Sequence, residues 1–176
     1  QLESIIENEK SAWLRHNAIT EQSMLHSANN RSDIIYTRFH FWVDPAVRYI
    51  RGELMTSFIP FEMLTSLDFD FSSALTMDSI CWHGQKLGFT RNGDILTVKF
   101  PTSLVQRDSL TFYYQGVPTS SGFGSFETNT HGNGTPVLWT LSEPYGAKEW
   151  MPCKQSLTDK IDSVDIFITH PMGYRA

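Results

Sequence analysis

From Ile34 onward this chain alternates apolar and polar residues with a period of two, and short runs of Gly, Pro, Asn or Asp interrupt the alternation. Successive strand residues point to opposite faces of a sheet, so the rhythm marks half-buried strands and does not suit a helix. It puts Ile35, Phe39, Phe41 and Val43 on one face of a first strand and Tyr36, Arg38, His40 and Trp42 on the other. Asp44-Pro45 makes a turn, after which Ile50, Leu54 and Phe58 share a face. Leu67, Phe69 and Phe71 alternate with Asp68 and Asp70, which reads as a core face opposite a solvated one. Ile80 and Trp82 lead into His83-Gly84, and Leu87 and Phe89 into Asn92-Gly93. Asn-Gly between two such runs is a strong hairpin signal, because both central residues of that turn tolerate positive φ. Leu96, Val98 and Phe100 follow, then Leu110, Phe112 and Tyr114, the run from Val137 to Leu141, and finally Val164, Ile166 and Ile168. Turn signals about every 8–12 residues, with no helix between them, predict a mostly β, antiparallel or mixed β-sandwich, or an open barrel.

Two stretches depart from that rhythm. Gly116 to Gly124 is rich in Gly and Ser and reads as a loop, and Tyr145 to Leu157 predicts a turn of helix. At the other end, Leu2, Ile5, Ile6 and Trp13 fall near helical spacing among Glu3, Glu7, Glu9 and Lys10, so residues 2–16 are expected to form a short amphipathic helix. The polar stretch ending near Asn30 then links residues 1–30 to a single β domain over 31–176. A chain of 176 residues is long enough for one such core. Its aromatic content of 13 % suits strands, on which wide rings pack well.

Charge narrows the partners. The net charge is -5 and no run of Lys or Arg is present, which argues against nucleic acid and anionic membrane. No apolar stretch approaches the roughly 18 residues needed to span a bilayer as a helix. Cys81 and Cys153 have no metal-ligand spacing; they read as two buried thiols, with a single disulfide as the alternative. The sequons at Asn30 and Asn133 matter only in a eukaryotic secretory setting. The chain opens on Gln1 and stops at Tyr174-Arg175-Ala176, so it is expected to be a domain of a larger, exported protein that begins after a processing site or a cut.

No complete catalytic set can be assembled. The histidines at 16, 26, 40, 83, 131 and 170 include no His-Glu-x-x-His and no His-x-His pair, so no metal ligands are predicted. Ser120, Ser121 and Ser125 lie in a glycine-rich loop without the Gly-x-Ser-x-Gly elbow of a serine hydrolase. Those glycines do not open a helix after a strand, as a phosphate cradle would require. No catalytic residue is predicted in this chain.

One segment is less generic. Residues 136–157 read Pro-Val-Leu-Trp-Thr-Leu-Ser-Glu-Pro-Tyr-Gly-Ala-Lys-Glu-Trp-Met-Pro-Cys-Lys-Gln-Ser-Leu. Read alone, Glu143 is a helix-capping acid and Pro152 ends a turn. The segment also resembles the N-terminal domain of the aminopeptidase N family of zinc metallopeptidases, with its Gln-x-Glu element, short Asp-Ala-Arg-like turn and Pro-Cys-x-Asp-Glu-Pro. Glu143 matches the Glu, Gly146-Ala147-Lys148 the turn and Pro152-Cys153 the Pro-Cys, at the same interval of about ten positions. Ile166 to Tyr174 resembles the closing strand, Tyr49 to Leu54 an early strand with its glycine, and Gly122 to Phe126 the loop before the Glu. Leu141 stands where the family has Gln, and Lys154-Gln155-Ser156-Leu157 replaces x-Asp-Glu-Pro.

The resemblance implies a saddle-shaped β domain packed beside a thermolysin-like catalytic domain of the same polypeptide. That second domain would hold the zinc, its ligands and the general-base Glu. It also implies that Glu143 binds the free amino terminus of a peptide substrate. A carboxylate paired with an ammonium measures the distance from the N-terminus to the scissile bond. From another class comes the alternative of a non-catalytic β-sandwich binding or scaffold module.

Overall fold

Alternation becomes strand wherever the turns close in register. The computed structural model describes Glu7, Lys10 and residues 31–120, 124–142, 145–156 and 159–176. Among these, β1 (Ser32–Asp44) and β2 (Val47–Pro60) form a long hairpin about Pro45-Ala46, and β3 (Leu64–Asp70) leaves it for a second sheet. Next come β4 (Leu75–Trp82), β5 (Gln85–Leu87), β6 (Phe89–Asn92), β7 (Ile95–Leu104) and β8 (Asp108–Gly116). A ribbon of β9 (Glu127–His131) and β10 (Thr135–Trp139), one 3-10 turn at Ala147–Glu149 and a last strand, β11 (Ser163–Thr169), complete the order.

The large sheet runs β11-β1-β2-β8-β4-β5, the small one β3-β7-β6, and β9 pairs with β10. The two larger sheets face one another across a shared core. Ile50, Leu54 and Phe58 of β2 and Leu110, Phe112 and Tyr114 of β8 meet Leu67, Phe69 and Phe71 and then Leu96, Val98 and Phe100, all buried. Phe69 meets Phe112 edge-on at 4.7 Å and Phe71 meets Tyr114 at 5.3 Å, a geometry that aligns positive ring edges with negative faces. The mostly β sandwich read from the sequence is the observed architecture.

One of the core contacts dictates a residue. Gly52 on β2 pairs across the ladder with Tyr114 on β8. A Cβ at Gly52 would lie 2.3 Å from the Tyr114 ring, so only glycine leaves room for that ring to lie over the strand.

Several expectations are corrected. Ile34 is buried and Ile35 only half-buried, because a bulge between Ile34 and Tyr36 shifts the facing of β1; Phe39 and Phe41 face inward as read. Asp70 does not lie on a solvated face: it is 4 % exposed and its backbone bridges to Cys153. His83 and Gly84 both have positive φ, as a two-residue hairpin of that twist requires. At the next hairpin Asn92 pairs with Ile95, so the turn residues are Gly93 and Asp94, and only Gly93 has positive φ. The strand read over Val137 to Leu141 begins at Thr135 and ends at Trp139, which is exposed. The helical turn expected after Tyr145 is the single 3-10 turn. The helix read over residues 2–16 lies outside the described residues except for Glu7 and Lys10, both helical and exposed.

β11 pairs parallel to β1, setting Val164, Ile166 and Ile168 beside Thr37, Phe39 and Phe41. Side chains paired this way share a face, yet Val164, Ile166 and Ile168 are 48 %, 58 % and 44 % exposed. The core face of the sheet therefore extends past the core at this edge. On the other face, which carries Tyr36 and Trp42, polar contacts intervene. Tyr36 donates to Asp165 at 2.8 Å, His40 stacks on Trp42 at 3.8 Å and bonds Thr169, and the Arg51 guanidinium lies over the Trp42 ring.

Candidate functional site

Glu143, the predicted substrate-binding residue, and Pro144 lie outside the described residues, while the residues on either side are described. The Leu141 amide donates to the Ser125 carbonyl at 3.3 Å, continuing the pairing beyond β10. Ser142 is held twice: its carbonyl accepts from the Gly146 amide at 2.9 Å, and its hydroxyl accepts from the Trp150 indole at 3.1 Å. On the far side, the Gln155 side-chain amide donates to the Tyr145 carbonyl.

Beneath this turn the packing is tight. The Ser125 hydroxyl donates to the Glu149 carboxylate, and both residues are buried. A Cβ at Gly146 would come within 2.7 Å of the Ser125 Cβ, so glycine is needed there for space, not for an unusual φ. The Trp150 ring packs on Phe41 with centroids 5.4 Å apart, anchoring the segment on the large sheet. Glu149 and Trp150 were not singled out from the sequence, and Ser125 was read only as a loop serine without a nucleophile elbow; Ser125 and Glu149 lie 24 residues apart, and no local pattern marks such a pair.

The residues that depart from the family pattern have partners as well. Lys154 is almost wholly buried, and its ammonium donates to the Ser32 carbonyl and to Asp159. The Gln155 amide N–H donates to the Asp70 carboxylate at 3.1 Å. A mainly apolar cavity of about 290 Å³ lies under this stretch, walled by Phe39, Leu54, Phe69, Met151 and Ile161, with Thr37 and Thr56 also in its lining. Those two hydroxyls bond each other at 3.3 Å.

Cys81 and Cys153 are both free thiols. Cys153 also lines the cavity. Although it is half-buried as a residue, desolvation pushes its thiol well above the ordinary value, and the Asp70 carboxylate adds to the rise. A thiol held protonated is a poor nucleophile. No group of His, Cys, Asp and Glu among the described residues could hold a metal ion.

No protein-family model and no curated protein matches the sequence. Solved structures do. An M1 zinc metallopeptidase from Deinococcus radiodurans superposes with a TM-score of 0.68 at 21 % identity, over 80 % of this chain and 33 % of that one. A form of that enzyme bound to a Tyr-Ser-Ala substrate gives 0.67 at 22 % identity, over 80 % of this chain and 33 % of that one. This chain has the fold of an M1 zinc metallopeptidase domain. Native leukotriene A4 hydrolase from Saccharomyces cerevisiae shares the M1 fold at a TM-score of 0.67 and 16 % identity, over 81 % of this chain and 24 % of its own. The chain thus spans about a third of the length of the first enzyme and about a quarter of the second. No ligand set for the zinc of those metallopeptidases is present among the described residues of this chain.

Proposed function

We propose that this chain is the non-catalytic N-terminal domain of a zinc aminopeptidase, packing beside the catalytic domain of the same polypeptide and contributing Glu143 to binding of the substrate's amino terminus. The observation that carries the reading is the M1 fold together with the Glu143 to Cys153 segment, whose flanks are tied down on both sides. Zinc and the water it activates would belong to the other domain, where an open coordination position lets the metal polarise the scissile carbonyl. The contribution of this chain is charge and distance: a carboxylate held at one place pairs with an ammonium and sets how far the chain reaches toward the metal. The row Val164, Ile166 and Ile168 offers apolar surface for the catalytic domain to cover. Export of the parent protein belongs to the same reading and is tested by a leader encoded ahead of Gln1 and by fractionation of cells.

The decisive experiment is Glu143→Gln in the full-length enzyme, which keeps the shape and removes the charge. Efficiency on peptides with a free amino terminus is expected to fall by about 2–5 kcal/mol of transition-state binding, the range for truncating one member of a desolvated charge pair. Turnover of N-blocked peptides is expected to stay unchanged. Equal efficiency on free-amine peptides would reduce Glu143 to a cap.

A further inference from the structure

We propose that the cavity between the large sheet and residues 147–154 and 159–161 is a binding site for a small uncharged apolar molecule, an aromatic or branched aliphatic hydrocarbon. Such a site stands independently of the amine-binding reading above. Its ground is a hollow built into the core face of the large sheet. Thr37 of β1 and Thr56 of β2 are cross-strand partners, each 2 % exposed, among neighbours that include Ile34 and Phe39 on one strand and Leu54 and Phe58 on the other. Two short side chains opposite one another among long ones leave a dip in the sheet face. Over β8 the small sheet fills the core, with Phe69 edge-on to Phe112. Over β1 the cover is irregular backbone with one 3-10 turn, which lacks the alternating rows that let two sheets interdigitate. The space left is about 290 Å³. That is near the lower end for natural ligand pockets, and about twice an engineered apolar cavity of roughly 150 Å³ that stays dry and takes up benzene.

The chemistry of the walls selects the ligand. Ile34, Phe39, Leu54, Phe69, Met151 and Ile161 make them mainly apolar. The polar groups among them are engaged with the protein itself. The Thr37 and Thr56 hydroxyls bond each other at 3.3 Å, and the Lys154 ammonium is held by the Ser32 carbonyl and by Asp159. Desolvation keeps the Cys153 thiol protonated. No charge inside is left to offset that of an ionised ligand, and an unpaired ion moved from water into such walls carries a large desolvation cost. Only Lys160 and Ile161 of the lining are exposed, which places the opening at their end. The carboxylates of Asp33, Asp159 and Asp162 gather there and add repulsion against an anion. A bound molecule would press on Met151 and Ile161 from inside and brace their stretch of chain against β1 and β2.

The test titrates this chain with toluene and follows its methyl resonances and its unfolding midpoint. Resonance shifts are expected to saturate and to be confined to Ile34, Leu54, Met151, Ile161 and the other residues of the lining. The midpoint is expected to rise with toluene concentration, since a molecule that binds only the folded state stabilises it by mass action. Benzoate and benzylamine, which carry the same ring with a charge of either sign, are expected to do neither. Ala147→Leu puts a larger side chain into the cavity and should abolish the response. Replacing Thr37 and Thr56 together by Val keeps the shape of the wall and leaves no hydroxyl unpaired, so the fold should hold. Toluene should then bind severalfold tighter, because no hydroxyl remains to retain a competing water. That double variant carries the test if Ala147→Leu does not fold. The site is overturned by a wild type without saturable shifts, by shifts spread beyond the lining, or by an equal response to the charged analogues. Undiminished uptake by a folded Ala147→Leu, or no gain in affinity in the double variant, overturns it as well.

Discussion

Gly52 and Tyr114 form one unit in which a missing side chain makes space for a large one. Replacing Gly52 with Ala forces the Tyr114 ring aside, and the expected loss is about 1–3 kcal/mol. It should be read as a lower urea midpoint at unchanged slope. Tyr114 carries a second feature. Its hydroxyl is fully buried without a hydrogen-bond partner among the described residues, and burial first, then Cys153, pushes its ionisation well up. A buried polar group without a partner is a cost, so Tyr114→Phe is expected to leave stability unchanged or raise it by up to about 1 kcal/mol. A loss of more than that would mean that the hydroxyl has a partner after all. The two substitutions touch the same contact and are predicted to move stability in different directions.

The 3-10 turn is joined to the β6–β7 hairpin by the Lys148 ammonium, 3.0 Å from the Asp94 carboxylate in the hairpin's turn. Desolvation alone would raise the Asp94 pKa, but the Ser73 amide and the Lys148 ammonium together outweigh it and hold the carboxyl below its ordinary value. A carboxyl depressed in the folded state stabilises the fold above its unfolded pKa, and that contribution fades as pH falls through the folded one. Wild type should therefore be more stable than Asp94→Asn near neutral pH, with the gap in unfolding midpoint closing as pH drops below 3.8, the ordinary carboxylate value. The Asp94 side chain is 37 % exposed, so added salt should narrow the gap as well. A gap independent of pH would show that the tie is steric. Asp94 was not read from the sequence as a turn residue, and the reason is instructive. Alternation placed Leu67, Phe69, Leu96, Val98, Leu110 and Phe112 on core faces, because one buried face imposes the period directly. It could not locate the bulge that turns Ile34 inward or the one-residue shift that puts Gly93-Asp94 in the hairpin turn. Nor could it see that Asp70 would be covered, since the cover comes from Cys153 and Gln155, far along the chain. The candidate site divides the same way: Glu143 was reached through a resemblance of motif, while the partners of Ser125, Trp150 and Gln155 became visible only through contacts made by folding.

For the molecule as a whole, the far edge of the large sheet carries the exposed row Val164, Ile166 and Ile168. Ile166 is the most exposed of its row, so Ile166→Lys in the isolated chain should shift stability by no more than about 0.5 kcal/mol. In the full-length protein the same substitution is expected to split one calorimetric transition into two, as the domains lose their contact. A single transition in the variant would place the interface elsewhere. The parallel pairing at this edge has one more consequence, in time. Tyr36 and its partner Asp165 lie 129 residues apart, so β1 leaves the ribosome on the order of ten seconds before its neighbour exists. Until then the inner face of β1 has an unpaired backbone edge and an apolar row beside it, the state in which nascent β chains are prone to pair with the wrong strand. The polar ladder on the other face, Tyr36 to Asp165 and His40 to Thr169, can close only when the last strand arrives. Completion of the first strand thus waits on synthesis of the last, and a pause in translation before Ser163 would lengthen the interval in which the chain needs a chaperone.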